Sequence, residues 1–265
     1  MFNNQKIVRA YDRLMNNSRQ RRYYGDSGFY NFGYWATGAT NQRAASEALV
    51  DVLVERLPQQ HGNILDVACG MGASTHRLAE QHKFRHITAI NLSQAQIDAA
   101  SKRAPAATVL VMDASKLEFP ANTFDSIICV EAAFHFNTRE AFLREALRVL
   151  KPGGGLSLSD IVARRFVGPL TGHAGMPGAN QLPNIAAYES LLKSIGFAGV
   201  RIDDVTGDTL GAFRRSIKQW PAAERINGTM SFRSSLGVAA GAQLISGYFH
   251  ATIRNYMLVS ARKPG

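Results

Sequence analysis

Short apolar runs alternate with stretches of helical apolar spacing through the middle of this chain, and that alternation leaves few architectures open. A helical pattern at about Arg43–Leu57 stops before Pro58, which cannot continue a helix, and Asn63–Ala68 then reads as a short buried strand. Helical spacing returns at Ala73–Gln81, a strand at His86–Asn91, and a helix at Gln94–Arg103 with Ser93 as its N-cap. Thr108–Met112 and Phe124–Val130 are strands, Thr138–Leu150 is a helix, and Gly155–Val162 is a strand after the turn Lys151-Pro152-Gly153-Gly154. A helix at Ala186–Ile195 is closed by Gly196 and followed by a strand near Val200–Val205. Apolar strands separated by helices predict a doubly wound, mostly parallel α/β sheet covered on both faces. Two helical stretches, Leu210–Gln219 and Ser235–Ser246, interrupt the alternation before a last strand at Ile253–Arg262, so a helical lid is expected over the sheet's carboxyl edge.

The turn Asp66-Val67-Ala68-Cys69-Gly70-Met71-Gly72 lies between the first buried strand and the next helix. Gly70 and Gly72 let a ligand approach the backbone, and the helix start offers unpaired N–H groups. A dinucleotide site would continue as G-x-G-x-x-G, but position 75 is Thr75, and Asp66 would repel a pyrophosphate. A carboxylate there suits a ligand with a cationic amino group.

From residue 60 to 162 the order of motifs resembles that of class I S-adenosyl-L-methionine-dependent methyltransferases, and within them the natural-product (sugar and polyketide O-), sterol and mycolic-acid subfamily. Asp66–Gly72 is similar to their first motif, with Ala68 in place of a frequent glycine. Ile90-Asn91-Leu92-Ser93-Gln94-Ala95-Gln96 resembles their second, in which most members carry an acid at the position of Asn91. Met112-Asp113-Ala114 resembles the pair that reads the adenine edge, and the string through Phe119-Pro120, Phe124-Asp125 and Leu150–Gly154 completes the match. The resemblance implies a seven-stranded Rossmann-like sheet, S-adenosyl-L-methionine as cofactor, and contacts to it from Asp66, Ala68, Gly70, Gly72, Asn91, Leu92, Gln96, Asp113, Ala114 and Glu131. Phe29-Tyr30-Asn31-Phe32-Gly33-Tyr34-Trp35 resembles a segment that covers the cofactor, which implies that Tyr34 and Trp35 line its site; aromatic faces attract a sulfonium cation. A single domain over 1–265 is expected, with 1–45 a helical and aromatic cover, 46–162 the cofactor-binding core, and 163–265 a substrate-side lid with the C-terminal strands.

Methylation of a hydroxyl also requires proton removal, and His135 follows the fourth strand at the rim where an acceptor would approach. An imidazole there is read either as a base or as a side chain filling the start of the next helix. The resemblance to sugar and polyketide O-methyltransferases pairs His135 with Asp160, which would orient the imidazole or bind the acceptor. Glu131-Ala132-Ala133-Phe134 is not the Asn/Asp-Pro-Pro-aromatic string of nucleobase amino-methyltransferases, Cys129 sits inside an apolar strand instead of at a nucleophile position, and Phe134 replaces the acid of cyclopropane synthases. C- or N-methylation, or non-methylating catalysis on the same fold, stay open beside O-methylation of a small natural-product acceptor.

The net charge of +10 lies in the flanks: residues 46–200 carry fourteen Lys/Arg against fourteen Asp/Glu, residues 1–45 seven against two, and residues 201–265 nine against four. Arg19, Arg21, Arg22, Arg214 and Arg215 are expected around the acceptor site, which would favour an acidic small molecule; nucleic acid is the competing partner and is not expected. Two cysteines make neither a disulfide framework nor a zinc site, so no metal is expected. The uncharged stretches Phe166–Tyr188 and Ser234–Ile253 are rich in Gly, Pro, Ser or Gln, so no membrane span is expected, and the location is read as cytoplasmic.

Overall fold

The computed structural model describes residues 4–164 and 176–265, so the expected loop 166–188 lies partly outside the described residues. Two short helices, α1 (Asn4–Met15) and α2 (Ser18–Tyr23), precede α3 (Gln42–Glu55). The alternating core follows as β1 (His61–Val67), α4 (Ala73–Gln81), β2 (Lys83–Asn91), α5 (Gln94–Arg103), β3 (Thr108–Val111), β4 (Phe124–Val130), α6 (Arg139–Val149) and β5 (Leu150–Ala163). α7 (Ile185–Ile195) and β6 (Ala198–Asp204) come next, then α8 (Ala212–Ile226), α9 (Phe232–Thr252) and β7 (Ile253–Arg262).

The seven strands form one sheet in the order β3-β2-β1-β4-β5-β7-β6. β1 through β5 run parallel, while β7 is antiparallel to both β5 and β6. The order reverses at β1, between β2 and β4, and in open α/β sheets ligands bind at that switch point, outside the strands' carboxyl ends.

Residues alternate between the two faces of the sheet as its pleat requires. Leu65, Val67, Ile127 and Cys129 pack with Phe142 and Leu143 of α6 and Tyr188 and Leu192 of α7. The intervening Ile64 and Ile128 pack with Val50 and Val54 of α3 and Leu78 of α4. The strands are therefore apolar on both faces, which is why they read as unbroken apolar runs.

The expected doubly wound sheet with an inserted helical lid is the observed fold, with α8 and α9 between β6 and β7. α9 is longer than the expected Ser235–Ser246: it is one 21-residue helix that starts at Phe232, N-capped by Ser231, and runs through Gly247 to Thr252. β5 starts earlier, since the Lys-Pro-Gly-Gly stretch is drawn into the strand beside β4 and β7.

Candidate active site

A cleft of about 1090 Å³, open mouth included, lies over the carboxyl ends of β1, β2 and β4. Its floor is the turn after β1. Ala68 and Gly70 adopt left-handed backbone there (φ +60° and +56°), as does Gly72 (φ +78°), where an added Cβ would meet the backbone of Ala100 at 2.7 Å. Gly72 thus serves close packing of α4 on α5, while Ala68, Cys69 and Gly70 line the cleft.

Asp66 sits under this turn, 1% exposed. Its Oδ2 accepts from Ser74 Oγ and Thr75 Oγ1, both at 2.7 Å, whereas its Oδ1 is buried without a partner. Burial pushes its pKa up to about 6, and the two hydroxyl donors only partly offset this. Asn31 Oδ1, in the cleft wall, is a second buried acceptor with no partner. Unpaired buried acceptors cost about 1–3 kcal/mol each, so a donor brought to either would be stabilising; Asn31 lines the cleft, whereas Asp66 lies beneath its floor behind Ser74, which does.

On the other side of the floor, Asn91, Leu92, Ser93, Gln96 and Asp113 line the wall. Asn91 Nδ2 donates to Gln96 Oε1 at 2.6 Å, and Asp113 Oδ1 is held by the backbone N–H and hydroxyl of Ser115. Glu131, just past β4, has φ +50°, rare for a residue with a side chain, and the turn it makes carries its carboxyl into the cleft wall. Its Oε1 accepts from Phe32 N at 2.7 Å and Tyr256 Oη at 2.6 Å. Burial pushes its pKa up to about 8, so the free protein holds it mostly protonated near neutral pH.

His135 lies in the 3-10 turn Ala133–His135 and lines the same cleft. Its Nε2 is 2.6 Å from Tyr11 Oη, with the two rings edge to face. Burial, reinforced by the Glu131 charge, raises the Tyr11 pKa well above the phenol's ordinary value, so Tyr11 is neutral.

Asp160 requires a correction. It is 0% exposed and does not reach the rim. Its carboxylate is taken by Arg139, with Nε at 2.7 Å and Nη2 at 3.3 Å, by Tyr188 Oη at 2.9 Å and by Ile161 N at 2.8 Å. Arg139, 2% exposed, also donates to Asn180 O, and Asn180 Nδ2 donates to Phe134 O at 3.1 Å and Phe136 O at 2.7 Å. Asp160 therefore supports the His135 turn through two intermediates and touches neither the imidazole nor an acceptor. It looked like a rim residue because it lies close to the carboxyl end of β5, yet it is an interior residue of a strand that runs to Ala163.

Tyr34 and Trp35 are displaced as well. Neither lines the cleft; Tyr34 packs against the cluster around Leu49 and Tyr256, and Trp35 Nε1 donates to Phe32 O. Phe29, Tyr30 and Asn31, from the same aromatic segment, take the wall instead. The segment was right and its register off by a few residues, because left-handed turns at Gly28 and Gly33 redirect the chain. Ala114 is buried behind the wall beside Asp113.

Two residues that meet the expected site residues were not legible beforehand, Tyr11 and Asp12 of α1, which contact His135 and Gln96. Val8, Tyr11 and Met15, all lining the cleft, follow the i, i+3, i+7 spacing of one helix face, the signal that could have found them. The flanking arginines do not line the cleft among the described residues. Arg21 pairs with Asp26, Arg22 lies on α8 at Glu224 and Thr229, and Arg214 donates to Ser246 of α9. No group of three or more His, Cys, Asp or Glu is placed to hold a metal among the described residues, and no described helix is long and apolar enough to cross a membrane.

Residues 65–158, which hold nearly all of this cleft's floor, match the methyltransferase domain family. The chain is also 30% identical over 207 residues to erythromycin 3''-O-methyltransferase of Saccharopolyspora erythraea, covering 70% of this chain and 67% of that one. It belongs to the S-adenosyl-L-methionine-dependent methyltransferases. A second relative is 27-O-demethylrifamycin SV methyltransferase of Amycolatopsis mediterranei, 29% identical over 248 residues, 88% of this chain and 89% of that one. Among solved structures, the [4+2]-cyclase SpnF is similar with a TM-score of 0.73 and 26% identity, over 98% of this chain and 96% of that one. The residues present are of the kinds this cofactor would need: in the cleft wall the Asn91–Gln96 amides would meet a diol and Asp113 an exocyclic amine, while Asp66, with Oδ1 unpaired, lies beneath the floor and does not itself line the cleft.

Proposed function

We propose that this enzyme methylates a hydroxyl of a small natural-product acceptor, with His135 as the base. The observation that carries this reading is the Tyr11–His135 pair, set in the wall of the cleft that also holds the cofactor-fitting residues. Bound S-adenosyl-L-methionine would supply an electrophilic methyl on a sulfonium. The acceptor oxygen attacks in line, and its nucleophilicity rises as its proton leaves. In the tautomer whose Nε2 carries no proton, neutral Tyr11 donates to His135 Nε2 and keeps its lone pairs for an incoming hydroxyl. The acceptor's proton then passes to Tyr11 as the Tyr11 proton moves to Nε2, leaving an imidazolium and an acceptor oxygen free of its proton, the form that would take the methyl as the sulfonium's carbon–sulfur bond breaks to a neutral thioether. Tyr30, Phe29 and Phe136 give the cleft the apolar walls that exclude water from this step. Relatives named as an erythromycin 3''-O-methyltransferase and a 27-O-demethylrifamycin SV methyltransferase support an oxygen acceptor. The absence of Lys and Arg from the cleft's described lining favours a neutral acceptor over an acidic one.

A second reading has one specific observation behind it, the likeness to a [4+2]-cyclase at 26% identity over almost the whole chain. The test separates the two: the enzyme is incubated with methyl-labelled cofactor and hydroxylated macrolide and polyketide acceptors, and label is sought in the products. Label in an ether supports O-methylation, label on nitrogen or carbon moves the acceptor class, and acceptor conversion without label supports the cyclase-like reading.

A further inference from the structure

The end of β2 carries Asn91, an amide, where an acid about twenty residues beyond the glycine turn ordinarily meets a ribose hydroxyl in doubly wound folds. A carboxylate does reach this place, from a different part of the chain. Asp12 of α1 accepts at Oδ1 from Gln96 Nε2 at 2.7 Å and from Ser93 Oγ at 3.0 Å. Gln96 in turn accepts at Oε1 from Asn91 Nδ2, and Asn91 Oδ1 accepts from Leu92 N at 2.8 Å.

We propose that Asp12 determines recognition of the cofactor's sugar by setting the polarity of the Asn91–Gln96 amide pair, so that this site is complete only when α1 lies across it. The inference rests on the cofactor assignment above. A carboxylate can only accept, so Gln96 must turn its NH₂ toward Asp12 and its carbonyl toward Asn91; Asn91 must then turn its NH₂ toward Gln96. After these bonds each amide keeps one N–H, and Gln96 Oε1 keeps a lone pair. Vicinal hydroxyls, each both donor and acceptor, match that remainder. A side chain at position 12 that cannot accept would leave the Gln96 NH₂ without its acceptor, and Leu92 N, through Asn91 Oδ1, would then be the one donor left to hold the orientation of the pair. The same contact ties the sugar site to the acceptor side, because the neighbouring residue on α1 is Tyr11, which holds His135.

Asp12 is a positioning residue in this scheme, and the test must tell it from a mere staple for α1. Calorimetry measures S-adenosylhomocysteine and its 2',3'-dideoxy analogue against the intact protein, Asp12→Ala and Asp12→Asn. The expected result is a loss of about tenfold in affinity for S-adenosylhomocysteine in Asp12→Ala, a smaller loss in Asp12→Asn, whose side chain can still accept, and little change for the dideoxy analogue. Equal losses for both ligands would make Asp12 a staple and overturn the proposal, as would undiminished affinity for S-adenosylhomocysteine in Asp12→Ala. An intact protein that binds neither ligand would overturn the cofactor reading itself, a result distinct from both.

Discussion

Replacing Asp160 by alanine removes the carboxylate paired with Arg139, the only such partner among the described residues, and leaves a guanidinium in a site that is 2% exposed. Four of the six hydrogen bonds made by these two side chains go with it. Breaking a buried pair by deleting one partner costs about 3–5 kcal/mol, because the surviving charge has lost its counter-ion and cannot reach water. Arg139 retains the carbonyls of Asn180 and Ile161, which places Asp160→Ala toward the lower end of that range. For a chain of this length such a loss lowers Tm by about 10 °C. Thermal and urea unfolding followed by circular dichroism measure it, and Asp160→Asn should fall between the two because the amide still accepts from Arg139. Replacing Arg139 by Met together with Asp160 by Leu should recover much of the stability, since no buried charge then remains. A variant Asp160→Ala that unfolds within about 1 kcal/mol of the intact protein, yet loses turnover per folded molecule, would refute this reasoning and return Asp160 to the reacting groups.

Glu131 gives a pH prediction with a definite sign. Its native pKa of about 8 lies above its ordinary value, so between the two the folded protein keeps a proton that the unfolded chain has lost, and stability falls as pH rises through that window. A cationic ligand favours the ionised form, so binding of S-adenosyl-L-methionine near pH 7 should release a proton and tighten as pH approaches 8; calorimetry in buffers of different ionisation enthalpy detects this, and Glu131→Gln should abolish it. Asp66→Asn should weaken S-adenosyl-L-methionine about tenfold or more, since a buried amide cannot answer an ammonium with charge, and equal affinity would remove Asp66 from the site. Tyr11→Phe should slow methyl transfer while leaving the affinity for S-adenosylhomocysteine within about twofold, as the ring still packs on His135 and only the hydroxyl is lost. Unchanged turnover would mean that the acceptor meets Nε2 directly.

The sheet was readable because its signals are local. The central strands are apolar on both faces, several helices carry a side-chain cap, as Ser93 and Thr138 provide, and β4, α4, α5 and β7 begin and end where the pattern places them. The residues expected on the cofactor side were legible for the same reason: Asp66, Ala68, Asn91 and Asp113 each sit within two residues of a strand's carboxyl end, and Gly70 and Gln96 lie three and five residues beyond one. What escaped was set by contacts distant in sequence. Tyr11 meets His135 across 124 residues and Asp12 meets Gln96 across 84, so no local pattern announces either pair. Asp160 misled because a carboxylate near a strand end resembles a site residue until its partner, Arg139 on a neighbouring helix, is known. Tyr34 and Trp35 misled because two left-handed glycines change which aromatic side chains of a seven-residue segment face inward.

The most direct test of the account is single-turnover methyl transfer by His135→Ala, with cofactor affinity measured on the same preparation. General-base removal should slow transfer to a hydroxyl acceptor by about 10²–10⁴-fold, with the slowed reaction losing the pH dependence of an imidazole, while S-adenosyl-L-methionine binds nearly as before. A His135→Ala enzyme that methylates its hydroxyl acceptor at the rate of the intact protein would contradict the assignment of the base.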